Sequence, residues 1–507
     1  MLVHGFNAPY EGQAIPERYY NKINCHMNGL TNIKLDFLPD APEGIYLVGG
    51  TVRDLLAGHP PADIDLVVAG DMGHVAGQIA AKTGGRVIDL GKDAFNVLRI
   101  ASPARFIDIT PLAHPSIEAD LLQRDFTINA MAYDVHARRL VDCTGGQADL
   151  VHKTVRMVSP SAFEKDPARL VRAYRMAAVL QFSIDDKTQD AIRRHGHRVG
   201  SVAGERVWAE LIKIFGNVDS GPVIMRMAAS GLLTRIFPEL QAAMGCSQNR
   251  HHQFDVFDHS LRVYQHLEAL LPGIGARFPG LTAITGATDL SAHTAMLKYG
   301  ALLHDVGKPA TRTVDAQGRI RFPGHAAKSA DIAAGISTRL RLSNRQRQVS
   351  DAIIRHHIRP LFLFIASENG TLGRRGMIRF FNRCGHLTLP VVVHAMADIM
   401  AKGDVLQGRN KAFISFSEHL IRAYIDARHR QAIVPPLISG HDLVAEFGLS
   451  PSPRFKVILR RVDERRLSGE LTTRDQALRW VGRLLLSEDG GRRITDNSPD
   501  TAPGTGV

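Results

Sequence analysis

Residues 45–68 read IYLVGGTVRDLLAGHPPADIDLVV, and the chain is organised around them. Residues 45–48 form a short apolar run, right for a buried strand. Gly49-Gly50 follows at once. Without Cβ atoms these glycines tolerate positive φ and let main-chain N–H groups approach a ligand. Residues 51–56 start a helix whose N-terminus points at the same place. His59-Pro60-Pro61 breaks the chain, and Asp63-Ile64-Asp65 enters a second apolar run over 66–68. Residues i and i+2 of a strand share a face, so Asp63 and Asp65 point one way and Ile64 the other. Two carboxylates converging beside a phosphate-binding turn repel each other unless a cation sits between them. Mg²⁺ suits carboxylates together with phosphate oxygens. These are the parts for metal-assisted nucleotidyl transfer, in which a 3′-hydroxyl attacks and pyrophosphate leaves. A D-x-D alone fits a solvated strand end better, and a lone Gly-Gly is weaker still. The ordered set, strand–GG-x-x-R-D–loop–D-x-D–strand, is much more specific.

With 507 residues the chain has room for three or more domains or helical subdomains. Its 44% apolar content is that of a globular protein, and no apolar run approaches the ~20 residues a membrane helix needs. The opening MLVHGFNAPYEG lacks a basic stretch followed by an apolar core, so no signal peptide is expected. Cys25, Cys143, Cys246 and Cys384 form no C-x-x-C pair, which fits a reducing cytoplasm and argues against a zinc ribbon. A net charge of +12 favours a polyanionic partner. With aromatics at 6%, stacking platforms for single strands are few.

Further along, a helix is expected over 72–83, closed by Gly84-Gly85, then strands over 86–90, 95–100 and 105–109. Residues 122–134 read LQRDFTINAMAYD, with Asp125 placed to cap an apolar helix. At 164–169, EKDPAR, Asp166 before Pro167 is a helix start, with the acid at the cap and Pro at the first turn. Arg169, Arg172 and Arg175 then recur every three residues along one side of that helix.

On these strings the chain resembles the class II tRNA nucleotidyltransferases (CCA-adding enzymes) and their bacterial poly(A) polymerase relatives, in the polymerase β superfamily. The resemblance implies an α+β multidomain protein. Its N-terminal polymerase β-like nucleotidyltransferase domain is a mixed sheet with helices. An all-α neck, an HD domain and a helical C-terminal region follow. Expected boundaries are an extension over 1–30, head 31–155, neck 156–245, HD domain 246–410, helical region 411–485 and a disordered tail 486–507. Gly49, Gly50 and Arg53 receive the triphosphate. Asp63 and Asp65 hold Mg²⁺, and Asp108, in RFIDIT, is the candidate third carboxylate. Arg124, Asp125 and Asn129 match the family's R-R-D-F-T-I-N-A-M-A motif and bind nucleotide sugar and phosphates. Asp166 and Arg169 match the family's E-D-x-x-R pair, which reads C or A without a nucleic-acid template. Two letters depart: Gln123 stands for the first Arg, and Lys165 for the Glu. The neck string SVAGERVWAEL (201–211) is expected to bury one Arg–Glu interaction around Glu205-Arg206.

A second constellation begins near Cys246. His259, His304-Asp305 and Asp398 each lie on a helix of their own, with His325 and His356-His357 between them in sequence. Imidazole and carboxylate donors suit Mn²⁺, Fe²⁺, Co²⁺ or Ni²⁺ more than structural Zn²⁺. The order H…HD…D resembles the HD phosphohydrolases. This implies that His259, His304, Asp305 and Asp398 are metal ligands, with His325 and His356 or His357 as additional ones. A phosphatase or 2′,3′-cyclic phosphodiesterase activity is implied. The expected partners are a tRNA or other RNA 3′ end with CTP and ATP, and no membrane. Poly(A) synthesis, CC-only or A-only addition, and a phosphohydrolase with an RNA-binding N-terminal half stay open as alternatives. The basic string that marks the polymerases reads Gly91-Lys92-Asp93 here, which favours tRNA.

Overall fold

The computed structural model describes residues 35–39, 43–91, 97–248, 253–278, 290–403, 407–433 and 435–489. The expected extension over 1–30 and most of the Gly91-Lys92-Asp93 string lie outside them. The chain divides into two compact units, Met1–Phe237 and Pro238–Val507.

The first unit opens with a seven-stranded mixed sheet in the order β3-β4-β5-β2-β1-β6-β7. Its strands are β1 Ile45–Val48, β2 Ile64–Val68, β3 Arg86–Asp89, β4 Leu98–Ala101, β5 Phe106–Pro111, β6 Ala132–Asp134 and β7 Arg139–Val141. β2 and β5 run parallel; the other neighbours are antiparallel. Alternation along β2 decides which residues face the site. Ile64, Leu66 and Val68 pack with Val52 and Leu56 of helix Gly50–Leu56 and with Ala76 and Ile79 of helix Met72–Thr83. Val67 joins Val48, Ile117 and Leu121 in a separate cluster, and Asp65 shares its face. The Met72–Thr83 helix matches its expected bounds, because Asp71 caps His74 N and Gly84 closes it in the left-handed conformation.

Two expectations shift. The string from Gln123 forms no apolar helix: Thr127–Asn129 is a single 3₁₀ turn, and the chain passes directly into β6. Pairing with β1 outweighs the helical pattern of INAMA. The neck helix runs Arg169–Leu180, starting later than Asp166. Asp166 still accepts from Ala168 N at 3.2 Å, so the capping survives ahead of the first helical residue. Gly204–Gly216 packs against this helix.

The second unit is helical. Val256–Arg277 packs against Thr294–Leu303 and Thr388–Met400, and His325–Arg339 lies on Asn344–His356. The closing helix runs Arg474–Asp489, past the expected tail boundary at 486.

Candidate functional site

Each unit gathers its own set of polar side chains. In the first, one cleft of about 570 Å³ is lined by Gly49, Gly50, Arg53, Asp63, Asp65, Arg124, Asp125, Asn129, Arg169, Arg172 and Arg175. Ala62, Met176 and Lys213 complete its lining. Gly49 has φ +64°, and a Cβ there would come 3.2 Å from the Arg124 guanidinium, so the turn requires glycine.

The D-x-D strand is held from behind. The buried Thr51 hydroxyl accepts Asp65 N–H at 2.8 Å and donates to the Asp63 carbonyl at 3.4 Å. Asp108 lies opposite Asp65 in the parallel β2–β5 register. Its carboxylate is held by Arg99 through two hydrogen bonds of 2.7 Å. Burial, and then the Asp108 charge, push the Asp65 carboxyl up to about 6. Arg124 and Arg53 only partly offset this. A cation beside Asp65 removes the conflict, so these residues fit a divalent metal.

Arg53 donates to Asn129 Oδ1 at 2.7 Å, and Asn129 Nδ2 donates to Asp125 Oδ1 at 3.2 Å. Asp125 also receives Arg172 at 3.2 Å. Arg169 donates to the Gln123 carbonyl at 3.1 Å, and its buried Nε has no partner. Asp166 is tied to Arg206 at 2.8 Å. Burial opposes the Asp166 charge, but Arg206 outweighs it and lowers the pKa. The expected buried pair around Glu205-Arg206 is therefore corrected. Arg206 is exposed and serves Asp166, whereas the buried acid is Glu210, which takes both Arg172 and Arg175. The two departing letters meet: the Lys165 ammonium donates to Gln123 Oε1.

In the second unit, His259, His304, Asp305, His325, His357 and Asp398 converge. His259 Nε2 lies 2.9 Å from Asp398 Oδ1, and His304 Nε2 lies 3.1 Å from Asp305 Oδ2. The Nε2 atoms of His325 and His357 lie 3.5 Å and 3.7 Å from Asp305 Oδ1. In His304, His325 and His357 the Nδ1 atom meets the carbonyl three residues back, at 3.0, 2.9 and 2.6 Å. A carbonyl only accepts, so Nδ1 carries the proton and Nε2 keeps its lone pair toward the centre. Gly307 allows this approach: a Cβ there would lie 2.5 Å from Ser329 N.

Burial holds His259, His325 and His357 below the usual imidazole pKa, which leaves them neutral, whereas at His304 burial is outweighed by the Asp305 and Asp398 carboxylates, which raise it. Burial works against the Asp305 carboxylate, but His304 and Lys308 outweigh it and hold it well below the usual range. Lys308 Nζ sits 2.6 Å from Asp305 Oδ2. His304 Nε2 and Asp305 Oδ1 are buried without a hydrogen-bond partner. Two triads, His259–His304–Asp398 and His304–Asp305–His357, keep their donor atoms within 4.8 Å of one another. Three neutral imidazoles, ionised carboxylates and orphaned donor atoms fit a metal ion. His356 stays outside, half-buried, and accepts from Arg359 Nε at 3.2 Å. Adjacent helical residues point about 100° apart, so only one of the His356-His357 pair faces inward.

Matches to known families follow the same division. The poly A polymerase head domain matches residues 45–156, the probable RNA and SrmB-binding site of polymerase A matches 181–244, and the HD domain matches 256–369. An A-adding tRNA nucleotidyltransferase of Deinococcus radiodurans is 32% identical over 89% of this chain and 98% of its own length. The chain belongs to the tRNA nucleotidyltransferase family. Other tRNA nucleotidyltransferases are similar: a CC-adding enzyme of Thermus thermophilus (29%, 92% of this chain, 99% of that protein) and a multifunctional CCA protein of Thioalkalivibrio sulfidiphilus (32%, 62% and 74%). A CCA-adding enzyme solved with CTP shares the fold at TM-score 0.62, with 19% identity over 91% of this chain and 98% of that one. Nucleotidyltransferase and HD domains together imply divalent-metal dependence.

Thr51, Glu210, Lys213, Lys308 and His394 also stand beside the site residues, though no motif singles them out. Glu210 and Lys213 are three apart on one helix face, the spacing that marks neighbours. His394 precedes Asp398 by four, the same signal. Thr51 offers no signal beyond its place after the glycines. Among the described residues no helix is long and apolar enough to cross a membrane.

Proposed function

We propose that the protein extends tRNA 3′ ends without a nucleic-acid template, adding C and A from CTP and ATP. The convergence of Asp63, Asp65, the Gly49-Gly50 turn and the arginines in one cleft carries this reading. Asp63 and Asp65, with Asp108 beside them, hold Mg²⁺. When bound, the ion neutralises phosphate charge and makes the 3′-hydroxyl a better nucleophile. Gly49, Gly50 and Arg53 seat the triphosphate. Arg124 and the Asp125–Asn129–Arg172 network fix sugar and phosphates. The hydroxyl attacks the α-phosphorus in line, and pyrophosphate leaves toward the arginines. Asp166, steadied by Arg206, and Arg169, steadied by main-chain carbonyls, present acceptor and donors to the base edge.

In the second unit, His259, His304, Asp305, His325, His357 and Asp398 hold Mn²⁺, Fe²⁺, Co²⁺ or Ni²⁺. When bound, such an ion activates water toward a phosphoester. Lys308, beside Asp305, is placed to stabilise phosphate charge. We take its activity to be that of a phosphatase or 2′,3′-cyclic phosphodiesterase. We assign head 31–155, neck 156–245, HD domain 246–410 and helical region 411–485, and place the enzyme in the cytoplasm.

A second reading, addition of the last A alone, is favoured by the likeness to the Deinococcus enzyme along nearly all of that protein. A tRNA transcript ending at the discriminator base, given Mg²⁺ with CTP, ATP or both, separates the two. CC and then one A supports CCA addition. A transcript extended only when it already ends in CC supports A addition. A long A ladder on unrelated RNA overturns both.

A further inference from the structure

His394 lies on helix Thr388–Met400, one turn before Asp398, and is fully buried. Neither Nδ1 nor Nε2 has a hydrogen-bond partner. Every other imidazole of the centre is anchored: His259 on Asp398, and His304, His325 and His357 on main-chain carbonyls. The His394 ring centre is 5.0 Å from that of His304 and 6.0 Å from that of His357. The other neighbouring pairs have like spacings: His259–His304 5.4 Å, His304–His357 5.0 Å and His325–His357 5.4 Å. Two imidazoles on one ion, each with its nitrogen about 2.1 Å from it, put their ring centres roughly 4.5–5.5 Å apart. His394 thus stands from His304 at the same ring spacing that His304 keeps from His357.

A buried imidazole without a partner forfeits the hydration of both nitrogens, so such groups are rare unless something fills the vacancy. A leucine would fill an apolar gap at no such cost. We propose that His394 is a further metal-binding imidazole of the second-unit centre, which makes its nitrogen donors five: His259, His304, His325, His357 and His394. This rests on the reading of that centre as a metal site. A fifth nitrogen raises the nitrogen share of the donor set and biases the centre toward nitrogen-preferring divalent transition metals over Mg²⁺.

The test uses the full chain, stripped of metal and titrated with Co²⁺ while the visible absorption is recorded and bound metal is counted. The expected result is that His394→Leu binds cobalt at least tenfold more weakly, or binds less of it, and shifts the d–d bands. His394→Gln, close in size and still polar, gives the same answer if the leucine variant does not fold. His356→Gln, outside the centre, is expected to leave stoichiometry and bands as in the wild type. Unchanged stoichiometry, affinity and bands in both His394 variants would overturn the proposal while leaving the metal centre standing. A wild-type chain that takes up no cobalt, manganese, nickel or iron would overturn the metal reading itself.

Discussion

Asp65 carries an electrostatic conflict that the metal-free protein cannot resolve. Its carboxyl is raised to about 6 by burial and by Asp108. A folded-state pKa above the unfolded value means that the native protein holds the extra proton. The contribution of this one group to stability is therefore greatest below pH ~4 and is lost as pH rises through about 6. At pH 7.5 the charge costs on the order of 1–3 kcal/mol. Asp65→Asn is thus expected to raise the melting temperature in EDTA by a few degrees while abolishing nucleotide addition, as a thermal melt and an extension assay would show. The same titration makes Mg²⁺ affinity fall about tenfold per pH unit below 6, measurable by calorimetry at pH 5 and 7.5. At the turn, Gly49→Ala must hold a left-handed φ at a cost of about 1–2 kcal/mol. It also presses on Arg124, so KM for nucleotide should rise more than stability falls.

Elements explain the two letters that depart from the family pattern. Gln123 comes from the turn before Phe126, and Lys165 ends helix Ala162–Lys165; they meet through a single hydrogen bond. The Arg and Glu of the family pattern carry opposite charges, and here Gln123 and Lys165 keep a hydrogen-bonded contact at that place. Lys165→Glu alone should impair nucleotide addition, and Gln123→Arg alone should set two cations together. The double variant should recover most activity, which kcat/KM for the three proteins would reveal. Arg206→Ala should release Asp166 and narrow the preference for the cognate base roughly tenfold with little change in turnover on it. The elements around these residues were legible in unequal degree. β1, β2 and helix Met72–Thr83 announce themselves by apolar period and end signals. The turn at Thr127–Asn129 does not, because the strand it leads into, Ala132–Asp134, is fixed by pairing with β1, far away in sequence. Arg206 was misread for a like reason: spacing tells which residues share a helix face, but not which neighbouring element supplies the charge.

For the whole molecule, motif order picked out residues that the fold gathers into two clusters, since each set is strung along the chain in sequence. It was not enough to choose between His356 and His357 or to find His394, because those depend on how helices rotate into a shared centre. The two candidate sites lie in separate compact units, each with its own buried core. Chelation should stop both activities, whereas substitutions in one centre should spare the other. The central claim is that Asp63 and Asp65 carry nucleotide addition. We would measure extension of a tRNA transcript lacking its 3′ CCA, with labelled CTP and ATP and Mg²⁺. The proteins compared would be wild type, Asp63→Ala, Asp65→Ala and the His304→Ala/Asp305→Ala double variant. Extension by wild type and by the double variant, with loss of at least a thousandfold in either aspartate variant, is the predicted result. Extension that survives Asp63→Ala or Asp65→Ala, or disappears with His304 and Asp305, would contradict the assignment.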